Sequence, residues 1–194
     1  MAISAVAFSS CATKQQKLNK KWEEAKAALN LKPSVSELYE WRGDDLTGPV
    51  SIEIELDDQM AYFKIGGNDA GWSYVATGIE KHRTPTGRFR VTEKKEEKYS
   101  NLYGAVLDAE GNIIHAGARI GRETIPDGGT FDGASMPYWM RLTNWGVGLH
   151  AGPIPHPGHT ASHGCIRLPE PLAEKLFAVV KVGTPVVIRG QSPD

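Results

Sequence analysis

The sequence predicts a mainly β protein: a sandwich or barrel-like domain with one short helix near its C-terminal end and a helical tether ahead of it. Three observations carry this. Twenty-one glycines and 12 prolines among 194 residues supply turns at short intervals. From Val50 onward apolar residues recur with a period of two. Helical periodicity is confined to two segments, residues 14–30 and 169–180. A hydrophobic content of 40% supports a real core, and one domain with appendages fits the length. The net charge of −1, with no long basic run, argues against a nucleic-acid partner. No stretch approaches the roughly 18 apolar residues of a membrane span.

Taken in order, residues 14–30 read as a charged helix with one apolar stripe of Leu18, Trp22, Ala25 and Leu29, ended by Pro33. Residues 34–48 read as linker, with a short helix over 36–41. The tether and linker together span 12–47, and the folded domain spans 48–190. Val50, Ile52, Ile54 and Leu56 alternate with polar residues in a half-buried strand, and 60–65 returns to form a hairpin. Gly66-Gly67-Asn68 turns into a third strand over 72–79. In Thr84-Pro85-Thr86-Gly87, Pro85 holds Thr84 extended and Gly87 supplies a positive φ before a strand over 88–92. This motif is expected to be a structural turn at the border of a cleft. Residues 93–98 read as a charged, exposed insertion. Strands are expected at 101–107 and 112–115, then a long aperiodic loop over 119–135, of the kind that serves as a lid. Residues 136–142 read as a strand with core aromatics, Tyr138 or Trp139 being candidates to line a cleft. Pro169, Glu170, Leu172, Leu176 and Phe177 predict a helix to Val180. Gly183 stops it, and a closing strand follows over 184–189.

The chemistry-bearing stretch is residues 148–168, GLHAGPIPHPGHTASHGCIRL. It holds Cys165, one of two cysteines, and four of the six histidines: His150, His156, His159 and His163. A strand ending at His150, a proline-rich loop and a return to order at 162–168 would bring His150 to Cys165. An imidazole that takes the thiol proton makes the nucleophile, and the imidazolium then holds the thiolate. Gly164 clears the approach to the sulfur, and the N–H groups of Gly164 and Cys165 are candidate donors to an oxyanion. Arg167 suits a carboxylate. Two other readings compete. A zinc site would draw on His150, His156, His159, His163 and Cys165, but their spacing matches no common site. An inert buried thiol would explain Cys165 alone but not its neighbours.

Ser162-His163-Gly164-Cys165-Ile166-Arg167 resembles the SHGC-[IV]-R signature of the YkuD-like L,D-transpeptidase family. Gly148-Leu149-His150-Ala151 is similar to that family's upstream histidine motif, and Thr84 to Phe89 to its TPTGxF element. The pattern runs from about residue 50 to 189, with a shorter loop between His150 and Ser162 than is usual. The resemblance implies a YkuD-like β-sandwich catalytic domain acting on peptidoglycan stem peptides, with no cofactor. It implies Cys165 as nucleophile and His150 as base, oriented by the backbone carbonyl of Ala151. His163 and Gly164 would shape the oxyanion site, with Ser162 beside them, and Arg167 would hold a substrate carboxylate or brace the loop. Two rival readings are an L,D-carboxypeptidase using the same site and a non-catalytic wall-binding module.

Residues 1–11 resemble the end of a bacterial lipoprotein signal, with Cys11 as the lipidated residue, although no Lys or Arg precedes Lys14. That implies a lipid-anchored protein of the cell envelope or periplasm. A Cys11–Cys165 disulfide is the competing use of the two cysteines, and it would disable the nucleophile.

Overall fold

The computed structural model describes residues 34–193. The expected tether helix over 14–30 and the Cys11 lipidation site lie outside the described residues. The chain divides into two units, Met1–Glu37 and Leu38–Asp194. Of the first, the described part is a 3-10 turn, Val35–Glu37, whose Glu37 carboxylate accepts from the Ser34 N–H at 2.8 Å and the Ser34 hydroxyl at 2.9 Å. No helix among the described residues is long and apolar enough to cross a membrane.

The second unit is built from three sheets. Strands β1 (Tyr39–Trp41), β2 (Val50–Glu55), β3 (Met60–Ile65), β4 (Asn68–Tyr74) and β5 (Gly87–Arg90) join the C-terminal β13 (Pro185–Arg189) in one sheet. Its order is β1-β4-β3-β2-β13-β5. The expected alternation is realised in β2, where Val50, Ile52 and Ile54 are buried and the residues between them are not. The second sheet has the order β12-β11-β10-β6, formed by β6 (Glu93–Lys95), β10 (Trp139–Arg141), β11 (Gly148–Ala151) and β12 (Ile166–Leu168). The third is β8-β7-β9, formed by β7 (Tyr99–Leu107), β8 (Ile113–Arg119) and β9 (Thr130–Ser135).

One helix, α1 (Glu170–Val179), follows β12, with Pro169 at its N-cap and Leu172, Ala173 and Leu176 buried. The core lies between the six-stranded sheet, the four-stranded sheet and α1, drawing on Ile52, Phe63, Met140, Leu149, Ile166, Leu172 and Ile188. β13 enters beside β2 in parallel and beside β5 antiparallel, so the chain's last strand joins the sheet that its first strands began.

Several sequence expectations change here, among them the short helix over 36–41, which is a 3-10 turn, Val35–Glu37, followed by strand β1. The supposed linker contains β1, which pairs with β4 and is preceded by the buried Leu38. The supposed charged insertion contains β6, which pairs with β10. The supposed aperiodic lid ends in β9, paired with β7.

Candidate active site

The ends of β11 and β12 carry the residues that the sequence singles out. The two strands run parallel, with Leu149 opposite Ile166, His150 opposite Arg167 and Ala151 opposite Leu168. Leu149, Ala151, Ile166 and Leu168 belong to the core. Strand alternation therefore turns His150 and Arg167, and one step earlier Gly148 and Cys165, to the opposite face. The same register carried one step back sets Gly148 level with Cys165 across the pair. With about 4.8 Å between strands and about 3.3 Å per residue, His150 and Cys165 are diagonal neighbours, their α-carbons about 8 Å apart.

Trp139, on the adjacent strand β10, shapes this face. Its ring centroid lies 6.1 Å from that of His150. A Cβ on Gly148 would stand 2.7 Å from the indole and 2.6 Å from the Met140 carbonyl, so only glycine fits there. The same packing leaves His150 only 6% exposed.

His150 Nδ1 lies 2.7 Å from the carbonyl oxygen of Ala151. A carbonyl only accepts, so Nδ1 carries the proton and Nε2 keeps a free lone pair. Burial pushes the imidazole down to about 4, over the opposing pull of the Ala151 hydrogen bond, and the Arg167 charge adds to the depression. Burial also raises the Cys165 thiol, against the Gly148 N–H and the Arg167 charge. The sulfur lies 3.6 Å from the Gly146 carbonyl, which accepts from the thiol. Both shifts run against the charged form of the group concerned.

Residues 162–165 are bent, with Gly164 at φ +112°. The Gly164 N–H donates to Ser162 Oγ at 3.1 Å, and the Ser162 hydroxyl donates to the Cys165 carbonyl at 2.5 Å. The Gly164 amide, expected to face an oxyanion, is thus engaged inside the turn, and the buried Ser162 is the turn's internal brace. His163 lies in this bend and is exposed. Its ring stacks on Tyr103, centroids 4.2 Å apart. The Arg167 stem packs against Gly152, where a Cβ would come within 3.0 Å of its Cγ and Cδ. Ala76 and Arg167 exchange backbone hydrogen bonds of 3.0 and 3.2 Å.

Two residues outside the catalytic stretch hold this loop. Thr84, 3% exposed, accepts the Gly78 N–H and donates to the Gly164 carbonyl, both at 2.9 Å. The structural role expected for the Thr84–Gly87 turn is therefore a hydroxyl clamp on the residue before Cys165. Gly87 has the expected positive φ, +138°. Gln59 is fully buried at φ +52° and holds Thr77, whose carbonyl accepts from the Ala161 and Ser162 N–H groups. Its Oε1 accepts the Thr77 N–H at 2.9 Å, and its Nε2 donates to the Leu56 carbonyl at 2.8 Å. Nothing in the sequence marked Gln59, which reads as an ordinary turn residue after Asp57-Asp58. His156 and His159 are exposed on the intervening loop. Among the described residues, no three His, Cys, Asp or Glu side chains group as metal ligands.

Comparison with known proteins fits this geometry. An L,D-transpeptidase from Mycobacterium smegmatis is 23% identical with a TM-score of 0.55, over 73% of this chain and 59% of that one. An L,D-transpeptidase from Stackebrandtia nassauensis is 19% identical with a TM-score of 0.54, over 84% of this chain and 64% of that one. A mutant of the Enterococcus faecium L,D-transpeptidase is 25% identical with a TM-score of 0.54, over 74% of this chain and 50% of that one. The chain thus spans about 59% of the length of the M. smegmatis structure. No curated protein sequence matches it. Residues 49–188 match the YkuD family model, the L,D-transpeptidase catalytic domain, and the chain belongs to that family.

Proposed function

We propose that the protein is a peptidoglycan L,D-transpeptidase with Cys165 as nucleophile and His150 as general base. The observation that carries this is the free Nε2 of His150, fixed by the 2.7 Å contact of Nδ1 with Ala151, on the same sheet face as the thiol. As sulfur bonds to the carbonyl carbon of the stem's third residue, His150 Nε2 takes the thiol proton. The tetrahedral intermediate then collapses, the C–N bond to D-alanine breaks, and His150 returns its proton to the leaving amine. The thioester is next attacked by an amine from a second stem, whose proton passes to His150 and back to the sulfur. Because Gly164 N–H is engaged by Ser162, the Cys165 amide is the backbone donor left to the oxyanion. His163 borders that site, and Arg167 holds a donor carboxylate.

The reading is tested by intact-protein mass after incubation with a carbapenem. The expected outcome is one covalent adduct on the parent and none on Cys165→Ala. An adduct on that variant would remove Cys165 from the role, and no adduct on either would favour a non-catalytic module. Incubation with tetrapeptide muropeptides then separates the acceptors, since dimers mean transpeptidation and tripeptide alone means hydrolysis by the same site.

The substrate places such an enzyme in the bacterial envelope, and Cys11 is the proposed lipid attachment point. Parent chain in the membrane fraction and Cys11→Ser in the soluble fraction is the expected result. Equal partition of the two would remove the anchor.

A further inference from the structure

Residues 152–165 contain no helix or strand, so the position of Cys165 is set largely from outside them. The backbone bonds that set it come from residues 76–79. Ala76 and Arg167 bond to each other twice, and the Thr77 carbonyl accepts the N–H groups of Ala161 and Ser162 at 3.0 and 2.9 Å. The Ile79 N–H donates to the Ser162 carbonyl at 3.0 Å. From Ser162 to Cys165 the path is one side chain long. The Ser162 hydroxyl donates to the Cys165 carbonyl and accepts the Gly164 N–H.

Beyond the end of β4 at Tyr74, this supporting segment forms only isolated bridges, Ala76 to Arg167 and Gly78 to Ser162. Gln59 holds it from the other side. The backbone carbonyl of Gln59 accepts the Val75 N–H at 2.8 Å. Its Oε1 accepts the Thr77 N–H at 2.9 Å and the Thr77 hydroxyl at 3.0 Å. Its Nε2 donates to the Thr77 hydroxyl oxygen and to the Leu56 carbonyl, each at 2.8 Å. Both N–H donors and both lone pairs of the amide are therefore used, in a side chain that is 0% exposed. Three of these four side-chain bonds leave the turn between β2 and β3 and go to Thr77. The turn by itself would be better served by glycine or asparagine, which adopt φ +52° more readily. Glutamine at this place is explained by what it holds.

We propose that Gln59 is a positioning residue for acyl transfer: through Thr77 and Ser162 it fixes the Cys165 backbone so that the Cys165 amide meets the oxyanion. The proposal rests on the transpeptidase reading for the reaction. A displacement of about 1 Å would leave the sulfur in place to react but spoil its alignment with the backbone donor, a loss on the order of 10²-fold. Acylation by a carbapenem passes through a tetrahedral oxyanion before the lactam C–N bond opens. Alkylation by iodoacetamide displaces iodide from a saturated carbon and forms no oxyanion. These two reactions of one sulfur therefore separate positioning from thiol reactivity.

The full chain and its variants are compared at a temperature where circular dichroism shows each of them folded. Gln59→Gly removes the side chain and suits the backbone, and Gln59→Asn keeps an amide one methylene closer to its own backbone. Both should slow carbapenem acylation by about tenfold to 10²-fold, while the iodoacetamide rate stays within about twofold of the parent's. Thr77→Val should lose part of the acylation rate, and Thr77→Ser, which keeps the hydroxyl, should recover it. Gln59→Gly combined with Thr77→Val should cost no more than Gln59→Gly alone, because both act on one path. Should Gln59→Gly fail to fold, the Thr77→Val and Thr77→Ser pair carries the same comparison. Amide hydrogen exchange in Gln59→Gly should accelerate at Ser162 and Gly164 while β2 and β13 keep their protection. Parent-like acylation in both Gln59 variants, or equal losses in acylation and alkylation, would reduce Gln59 to a turn residue. A parent that takes no carbapenem adduct would discard the transpeptidase reading, and exchange then decides the coupling alone. Faster exchange at Ser162 and Gly164 would sustain it, and unchanged exchange would overturn it.

Discussion

Burial works against charge on the His150 imidazole and on the Cys165 thiol alike. The environment of Cys165 raises its pKa while Arg167 opposes that rise. Alkylation by iodoacetamide should therefore follow an apparent pKa above the free-cysteine value of about 8.5. Arg167→Leu should raise it further. A profile centred well below that value would restore the ion pair. His150→Ala should slow acylation by about 10²–10⁴-fold, the usual worth of a general base. His150 also couples the fold to pH. Its folded pKa, about 4, lies below the unfolded value of 6.5. Its contribution is thus fully present above pH 6.5 and is lost as the pH falls toward 4, by an amount on the order of 3 kcal/mol. Denaturant melts of the parent should weaken across that window, and His150→Gln should flatten the dependence. At this scale the sequence was legible where chemistry dictates residue type. Cys165, His150 and Arg167 do lie on one face. It was illegible where the backbone departs from a strand: the bend at Gly164 hides in a motif that an extended reading also fits.

Between the residues and the molecule stand short elements whose work depends on one side chain. Strand β6 looked like a solvated insertion because its three residues are all charged. It is an edge strand, and its charges suit an edge. Lys94 nevertheless points inward, donating to the carbonyls of Phe177 at 2.5 Å and Val180 at 2.6 Å. It thus satisfies the C-terminal end of α1. Strand β9 escaped notice for another reason. Alternation in sequence records one buried face, and all of β9 is exposed or only half-buried. Helix α1, by contrast, was legible almost to the residue, because Pro169 starts it and one apolar face is buried. The Thr84 turn gives the sharpest prediction at this scale. Thr84→Val keeps the shape but leaves the Gly78 N–H and the Gly164 carbonyl without their shared partner. It should cost about 1–3 kcal/mol in denaturant melts. It should also slow carbapenem acylation, because Gly164 precedes Cys165, the proposed nucleophile. Thr84→Ser should restore both, and a Val variant that acylates at the parent rate would reduce the clamp to a purely stabilising role.

At the scale of the whole molecule, the question is where the domain begins. The family match starts at residue 49, but the six-stranded sheet starts earlier, at β1. β1 covers the edge of β4, and the Arg42–Asp69 pair at 2.6 Å fastens the chain just beyond it. Trp41 packs at 6.2 Å on Phe63, deep in the core, and its indole N–H donates to Asp44 at 2.7 Å. Asp44 in turn pairs with Lys175 of α1 at 3.1 Å. Leu38, 7% exposed, packs in a small cluster with Ala76 and Ile154. Ala76 is the residue whose backbone grips Arg167, and Ile154 lies in the loop that follows His150. The segment ahead of the family match thus packs against residues that flank β11 and β12. A chain starting at residue 49 loses the burial of Leu38 and much of that of Trp41, on the order of 3 kcal/mol. For a domain of this size that is about 6–12 °C in Tm. A chain starting at residue 34 keeps β1 and should melt above the shorter one. Because Leu38 supports Ala76, the shorter chain should also acylate more slowly at a temperature where both chains are folded. Equal melting temperatures and equal acylation rates for the two truncations would make β1 a dispensable edge and return the boundary to residue 49.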